Sequence, residues 1–162
     1  RSIGAILTVL YAKANVASNS VCATMPVTNL VGAQRMVSLR QSIRRHVLDS
    51  LDLARFIVDM VEDKKAEDIV LLDLRPDVVI ADFFVIANGN SDRQLKALAE
   101  HVRESVKERF QKLPIAVEGV SESGWVLMDY GDVIVHLFLE AKRGYYDLEG
   151  LWRGAHVLLN IQ

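Results

Sequence analysis

Apolar residues recur at helical spacing between Ser91 and Pro114, and short apolar runs lie on both sides of this segment. Ser91 and Gln94 stand at the spacing of a capping box, and Asp92 complements the positive end of the helix dipole. The apolar face consists of Leu95, Leu98, Ala99, Val102, Val106 and Phe110. Charged and polar side chains occupy the other faces, so the segment is predicted to be an amphipathic helix that ends before Pro114.

Short apolar runs before and after this helix predict the strands of a sheet. These runs are residues 68–73, 83–87, 115–117, 125–128 and 133–139. Gly131 can adopt the positive φ of a tight turn, so the last two runs are predicted to form a hairpin. A helix over residues 50–65 and a short helix within 143–151 complete the order α-β-β-α-β-β-β-α. This order predicts an α+β fold in which helices pack on a mixed sheet.

Charge is distributed unevenly along the chain. The first 48 residues contain no Asp or Glu and hold six of the 19 Lys and Arg residues, whereas all 21 acidic residues follow. Residues 49–162 therefore carry 13 basic and 21 acidic groups, a net charge of −8, although the whole chain is at −2. Because nucleic-acid binding needs clustered Lys and Arg, this region is better suited to docking on a basic protein.

Composition also divides the chain into three parts. Residues 1–46 are predicted to be a leader outside the fold: a stretch upstream of the true start, a transit peptide for an organelle, or a functional arm. Residues 47–153 are predicted to form the domain. Residues 154–162 are an apolar C-terminal tail that could pack as an extra strand.

Residue counts disfavour several kinds of site. Cys22 is the single cysteine, so no intrachain disulfide, Cys-based zinc site or Cys-x-x-Cys redox pair can form. The four histidines show no His-x-x-x-His spacing, and no apolar run reaches the roughly 18–20 residues of a membrane-spanning helix. The sequence therefore predicts no metal site, no cofactor and no membrane segment.

Two patterns could nevertheless support enzyme chemistry. Residues 88–91 precede the long helix, where free backbone N–H groups favour a phosphate. Carboxylates that could hold Mg²⁺ are Asp73, Asp77 and Asp82, with Asp129 and Asp132 as a second set. Neither pattern comes with a Gly-rich phosphate loop, and no Ser or Cys lies in a nucleophile-elbow motif. An ordinary turn and capping roles are the preferred interpretation, so no catalytic residue is predicted.

Aromatic residues are concentrated near the end of the chain. Residues 124–152 hold both tryptophans and three of the four tyrosines, interleaved with carboxylates. Aromatic side chains rimmed by a few charges are typical of protein–protein contact hot spots. Stacking on nucleic-acid bases is disfavoured, because the neighbouring charges are mostly acidic. The competing interpretation is an aromatic hairpin packed into the domain's own core.

Five segments together resemble the RsfS/Iojap family of ribosomal silencing factors. In chain order they are Asp63-Lys-Lys-Ala-Glu-Asp-Ile-Val70, Ile80-Ala-Asp-Phe-Phe-Val-Ile86, Ser91-x-Arg-Gln94, Gly124-Trp-Val-Leu-Met-Asp-Tyr-Gly-Asp-Val-Ile-Val-His136, and Tyr146-Asp-Leu-Glu149 followed by Leu151-Trp152. The last two are the most specific. The resemblance spans about residues 50–153 and leaves out the leader and the tail.

The resemblance implies an α+β fold related to nucleotidyltransferases, without that catalysis. It also implies binding to the large ribosomal subunit through the ribosomal protein uL14. There the protein would block small-subunit joining and lower translation when nutrients are scarce. The partner-binding residues that it implies are Trp125, Asp129, Tyr130, Asp132 and His136, with Tyr146, Asp147 and Trp152 as further members. The expected location is the cytoplasm, or a mitochondrion or plastid if the leader is a transit peptide.

Two other functions stay open from the residues alone. A Mg²⁺-dependent nucleotide-binding or nucleotidyltransferase-like enzyme would hold phosphate at residues 88–91 and the metal at Asp73 or Asp82. A homodimeric adaptor would use the aromatic hairpin as its self-interface. Some homodimer of the free protein is expected, because an exposed apolar patch tends to find a partner.

Overall fold

The structure, a computed structural model, describes residues 49–75 and 80–162. Helix α1 covers residues 49–63 of the described range. The elements that follow are β1 (Glu67–Asp73), β2 (Phe83–Gly89), α2 (Asp92–Phe110), β3 (Ala116–Val120), a 3-10 turn (Ser121–Ser123), β4 (Trp125–Asp129), β5 (Val133–Leu139), α3 (Glu140–Tyr146), α4 (Leu148–Leu151) and β6 (His156–Ile161). The predictions for residues 1–46 and for Asp77 lie outside the described residues.

The six described strands form one mixed sheet in the order β3-β4-β5-β2-β1-β6. Strands β2 and β5 run parallel, with Phe84 opposite Ile134 and Ile86 opposite His136. The other neighbouring pairs are antiparallel. The predicted α+β fold with helices on a mixed sheet is thereby confirmed, and its kinship with nucleotidyltransferases stays a prediction.

The two faces of the sheet bury different sets of side chains. Helices α1 and α2 cover one face, where their apolar stripes meet residues such as Phe83, Val85 and Val135. The opposite face packs against α4 and the residue that follows it, Trp152. Side chains alternate between the two faces along a strand, and β5 carries apolar residues on both. It therefore contributes to the hydrophobic core on each face of the sheet. No helix of the described residues is long and apolar enough to cross a membrane.

Helix α2 begins as its sequence predicts. The Ser91 hydroxyl accepts a hydrogen bond from the backbone N–H of Gln94 at 3.2 Å, and the Gln94 side chain accepts one from the N–H of Asn90 at 2.8 Å. The helix ends at Gln111, three residues before Pro114, because Gln111 takes the left-handed conformation with φ 53°. A local backbone turn, rather than the proline, therefore terminates the helix.

At both edges, the sheet extends beyond the strands predicted from the apolar runs. Strand β3 continues through Glu118 and Gly119 to Val120, beyond the apolar run 115–117 from which the strand was predicted. Pairing with β4 supplies the backbone hydrogen bonds that their side chains do not predict. At the other edge, the tail adds β6 beside β1, so it does pack as an extra strand.

Candidate docking surface

Trp125 lies at the centre of an aromatic cluster on the sheet face opposite α1 and α2. Its ring stacks on that of Phe138 with 4.9 Å between centroids. The Trp125 ring also lies 4.5 Å from Tyr146 and 5.9 Å from His136. Phe84 extends the cluster, because its ring meets His136 edge-on at 4.8 Å. Four separate elements thus bring their rings together.

Strand register explains why these rings meet. Trp125 pairs with Phe138 and Leu127 pairs with His136 across β4 and β5. Residues two apart on a strand share a face, so all four side chains point to the same side of the sheet. Helix α3 follows β5 directly and delivers Tyr146 onto this face.

The rings at the centre of the cluster are buried. Trp125 exposes 1% of its surface, and His136 and Trp152 are also buried. The indole nitrogens of both tryptophans and both ring nitrogens of His136 make no hydrogen bond with the described residues. In this structure these three side chains support the surface from beneath.

His136 stays neutral over a wide pH range. Complete burial among aromatic rings lowers its pKa from 6.5 to about 3, because the charged imidazolium is poorly solvated there. A histidine of this kind does not act as a general base near pH 7. It serves as a flat packing element between Phe84 and Trp125.

Exposed side chains surround the buried rings at the corner between α3 and α4. Tyr145 is 79% exposed and meets Tyr146 edge-on, with 5.0 Å between ring centroids. Asp147 is exposed as well, in the left-handed conformation with φ 40°, and its carboxylate accepts a hydrogen bond from the N–H of Gly150 at 3.1 Å. This corner therefore presents an aromatic ring beside a carboxylate.

A second acidic group lies at the turn between β4 and β5. The Asp129 carboxylate accepts a hydrogen bond from the N–H of Gly131 at 2.7 Å, and Gly131 has a φ of 91°. The Asp132 carbonyl accepts hydrogen bonds from the N–H groups of Asp82 and Phe83 at 2.8 and 3.0 Å. The side chains of Asp129 and Asp132 are both partly exposed at this rigid turn.

Tyr130 belongs to the other side of the sheet. It is fully buried in the core beneath α1 and α2, and its hydroxyl has no hydrogen-bond partner among the described residues. Burial raises its pKa to about 12, although the positive charge of Arg103 opposes the shift. Its position separates it from the aromatic cluster.

Arg143 fixes the corner of α3 and α4 to the sheet. Its Nε and Nη2 both donate to Oε1 of Glu149, at 2.9 and 2.5 Å. It also donates to the Asn88 side chain at 3.1 Å and to the carbonyl of Asp68. This clamp holds Tyr145, Tyr146 and Asp147 in place against the rings below.

Comparison with known proteins bears on the identity of this fold. The sequence model of RsfS, described as ribosomal silencing factor during starvation, matches residues 47–161. The chain belongs to the RsfS family. It is 40% identical to the ribosomal silencing factor RsfS of Halalkalibacterium halodurans over 108 residues, which are 67% of this chain and 92% of that protein. It is 44% identical to the RsfS of Bacillus subtilis over 94 residues, 58% of this chain and 79% of that one.

A crystal structure from Chromobacterium violaceum shows the same fold. Its TM-score against this RsfS-family chain is 0.60 at 38% sequence identity, and the match covers 63% of this chain and 84% of that one. The family-level resemblance inferred from sequence motifs is thereby confirmed.

The RsfS-family fold separates the eight predicted partner-binding residues into groups. Around the aromatic cluster lie Trp125, His136, Tyr146, Asp147 and Trp152. Asp129 and Asp132 lie at the β4–β5 turn, and Tyr130 lies under the helices. Sequence reasoning left out Tyr145, the most exposed ring of the group. The sequence places Tyr145 next to Tyr146, but whether the Tyr145 ring is exposed depends on how α3 lies against the sheet.

Among residues 88–91, where a phosphate was considered, the N–H of Asn90 is already used by the RsfS-family chain itself. The Gln94 side chain binds the N–H of Asn90 and the carbonyls of Lys64 and Lys65 at 2.8, 3.2 and 2.8 Å. Asp73 is paired with Arg75 at 2.6 Å, which holds its pKa below the usual range. Asp82 accepts a hydrogen bond from Ser50 at 3.0 Å. Within the described ranges no cluster of three metal-binding side chains exists.

Proposed function

We propose that this protein binds the large ribosomal subunit through uL14 and sterically blocks the small subunit from joining, which represses translation. The observation that carries the proposal is the RsfS-family match over residues 47–161. Its relatives in two bacteria are named ribosomal silencing factors. A steric mechanism requires a surface and no chemistry, so the protein would act as a regulator and not as an enzyme.

The contact surface of the proposal consists of exposed and partly exposed side chains over a buried base. Tyr145, Tyr146 and Asp147 form one part, and the acidic turn with Asp129 and Asp132 forms another. The buried residues of the predicted set hold these parts in position: Trp125, Tyr130, His136 and Trp152. Preorganised aromatic and acidic groups suit a basic protein partner.

Charge supports a protein partner over ribosomal RNA. Residues 49–162 carry 13 basic and 21 acidic groups. Phosphates would be repelled by this domain, whereas Lys and Arg side chains of a ribosomal protein would be attracted. Direct nucleic-acid binding is therefore expected to be slight.

Co-sedimentation with purified ribosomal particles tests the proposal. The full chain is expected to pellet with isolated large subunits and to remain in solution with assembled ribosomes, where the contact region is covered. Equal binding to both particles, or to neither, would contradict the steric mechanism. In the same assay, the variant Asp147→Asn removes one carboxylate of the proposed contact surface without changing the size of the side chain.

Location follows from where the target subunits are found. We propose action in the cytoplasm, as for bacterial members of the family, or in an organelle if residues 1–46 act as a transit peptide. Fractionation of cells that express the full chain, followed by immunodetection in each ribosome pool, distinguishes the two.

The nucleotide-dependent alternative makes a separate expectation. ATP, GTP and CTP with Mg²⁺ should leave the melting temperature unchanged, because the N–H of Asn90 in the turn before α2 already donates to Gln94 and no cluster of three metal-binding side chains exists in the described ranges. A saturable rise in melting temperature with any of them would revive the enzyme interpretation.

Self-association of the free protein is also part of the proposal. Exposed apolar side chains on the outer strand β6, among them Val157 and Leu158, provide apolar surface for a homodimer. Sedimentation equilibrium at tens of micromolar, a range set by affinity arithmetic, tests it. A strict monomer there would exclude the dimer.

A further inference from the structure

The edge of the sheet at β3 carries exposed apolar side chains. Ile115 is 73% exposed, Val117 50% and Val120 59%. Strand β3 pairs with β4 on one side, and no described strand pairs with its other side. An edge of this kind offers unpaired backbone groups and apolar contacts to an extended segment of another protein.

Glu118 lies in the middle of the β3 strand. Its Cα stands opposite that of Leu127, so its side chain shares the face of the aromatic cluster. The Oε2 atom of Glu118 is buried and has no hydrogen-bond partner, and no Lys or Arg of the described residues forms an ion pair with it. A Lys or Arg that a partner places beside this carboxylate would be attracted to it.

The β3 edge is continuous with the acidic turn of the proposed docking surface. The N–H of Ile115 donates to the Asp129 carbonyl at 2.7 Å. A Cβ placed on Gly131 would lie 3.4 Å from the Ile115 side chain, so Ile115 covers that turn. An apolar residue of the β3 edge is thereby in contact with the turn that contains Asp129 and Asp132.

The opposite edge of the sheet is different in charge. Strand β6 also exposes apolar side chains, but residues 156–162 contain no Asp, Glu, Lys or Arg. Both edges therefore expose apolar side chains, but of the two edge strands only β3 contains a carboxylate, that of Glu118. This contrast indicates that the β3 edge selects a basic partner.

We propose that the β3 edge binds an extended segment of a partner protein in which a Lys or Arg is flanked by apolar residues. The cation would lie beside Glu118, and its apolar neighbours would face the other side, next to Val117. Gly119 has a φ of 82°, which bends the strand, so backbone pairing would cover residues 116–118. The inference rests on the proposed function only for identifying that partner as a ribosomal protein.

A short peptide tests the edge without any ribosome. The probe is the blocked heptapeptide Ser-Thr-Val-Lys-Val-Thr-Ser, and the control peptide carries Glu in place of Lys. At about 1 mM, the weak end of protein affinities, the Lys peptide is expected to slow amide hydrogen exchange at residues 116–118. Exchange in β6 should stay unchanged, and the Glu peptide should have no effect. Protection confined to β6, or equal protection by both peptides, would overturn the inference.

Glu118→Gln removes the charge and preserves the size of the side chain. This variant is expected to bind the Lys peptide roughly tenfold more weakly, the loss of one close charge pair. Its melting temperature should be close to that of the wild type, because Glu118 is partly exposed and forms no ion pair with the described residues. Glu104→Gln, at an exposed position on α2, is the matched control and should bind normally. Equal peptide affinity of the Glu118→Gln variant and the wild type would refute the role of Glu118.

Large-subunit binding by the same variants separates this inference from the proposed function. Glu118→Gln is expected to co-sediment more weakly than the wild type, and Glu104→Gln equally well. If the wild type binds no subunits while the peptide results hold, the proposed function fails and the edge site stands. If the wild type binds subunits and Glu118→Gln matches it in both assays, the edge site fails alone.

Discussion

Tyr145 and Trp125 contact the same ring, Tyr146, but their own exposures are opposite. Trp125 is 1% exposed and its ring is tilted by 45° to that of Tyr146, whereas Tyr145 is 79% exposed and meets Tyr146 edge-on. A buried ring contributes to folding, and an exposed ring is available to a partner. Substitutions at the two positions should therefore affect different measurements.

Tyr145→Ala is expected to weaken large-subunit binding by about 1–2 kcal/mol, as loss of an aromatic hot spot does. Its free energy of unfolding should change by less than about 0.5 kcal/mol, because the side chain is exposed. Trp125→Ala should instead lower the free energy of unfolding by about 3–5 kcal/mol. Co-sedimentation and urea denaturation measure the two effects. A Trp125→Ala variant of wild-type stability would contradict the assigned packing role.

His136 makes stability depend on pH in a defined direction. Its pKa is about 3 in the folded chain and near 6.5 when exposed, so the unfolded state binds the additional proton between these values. Stability is therefore complete above pH 6.5 and falls as the pH drops from 6.5 towards 3. The expected slope is about 1.4 kcal/mol per pH unit.

Urea denaturation at pH 7, 6 and 5 measures this effect. His136→Phe keeps an aromatic ring in the cluster and should remove most of the slope. His156→Gln, at an exposed position on β6, should retain it. Asp73 does not interfere, because its lowered pKa keeps it ionised throughout this range. Identical slopes in the wild type and His136→Phe would contradict the burial of a neutral His136.

At the scale of elements, the β4–β5 hairpin carries much of the candidate surface. Two hydrogen bonds fix its turn. The N–H of Gly131 donates to the Asp129 carboxylate, and the N–H of Tyr130 donates to the Val133 carbonyl at 2.9 Å. Gly131 has a φ of 91°, a conformation that a residue with a Cβ rarely adopts. The direction in which the hairpin presents its carboxylates therefore depends on one glycine.

Gly131→Ala is expected to destabilise the domain by about 1–2 kcal/mol, the usual cost of a left-handed conformation for a residue with a Cβ. Gly154→Ala is the control, since a Cβ there would meet nothing within 4 Å and its φ is not in the positive range. Thermal or urea denaturation of the two variants gives the comparison. Equal stability of both would contradict the strained turn.

At the scale of the whole molecule, charge governs how the domain meets its partner. Residues 49–162 carry a net charge of −8, whereas the whole chain carries −2. Long-range attraction to a basic protein accelerates association, and salt screens it over about 8–10 Å.

Large-subunit affinity is accordingly expected to fall as KCl rises from about 50 to about 300 mM at constant Mg²⁺. Most of the change should appear in the association rate, which surface-immobilised subunits allow to be measured. Sucrose of equal osmolarity is the control. An affinity that rises with salt would contradict the electrostatic part of the proposal.

The amphipathic pattern from Leu95 to Phe110 was sufficient to predict the helix, and the apolar runs were sufficient to predict most strands. An element buried on one face has apolar residues at a regular spacing, and a strand buried on both faces is a continuous apolar run. The motifs from Gly124 to His136 were sufficient for the family. Strand β3 beyond Val117 was not predictable, since its Glu118 and Gly119 take a strand conformation only through pairing with β4. The local sequence does not indicate that pairing.

Sequence by itself therefore determined the α+β class, the family and the aromatic and acidic composition of the candidate surface. Tertiary structure alone decided which of these residues are accessible. Trp125, Tyr130 and His136 are buried, Tyr145 is exposed, and Tyr130 lies on the opposite side of the sheet from the other two. Residue type records the apolar area that a side chain can bury, whereas exposure depends on strand register and on the helix that covers each face.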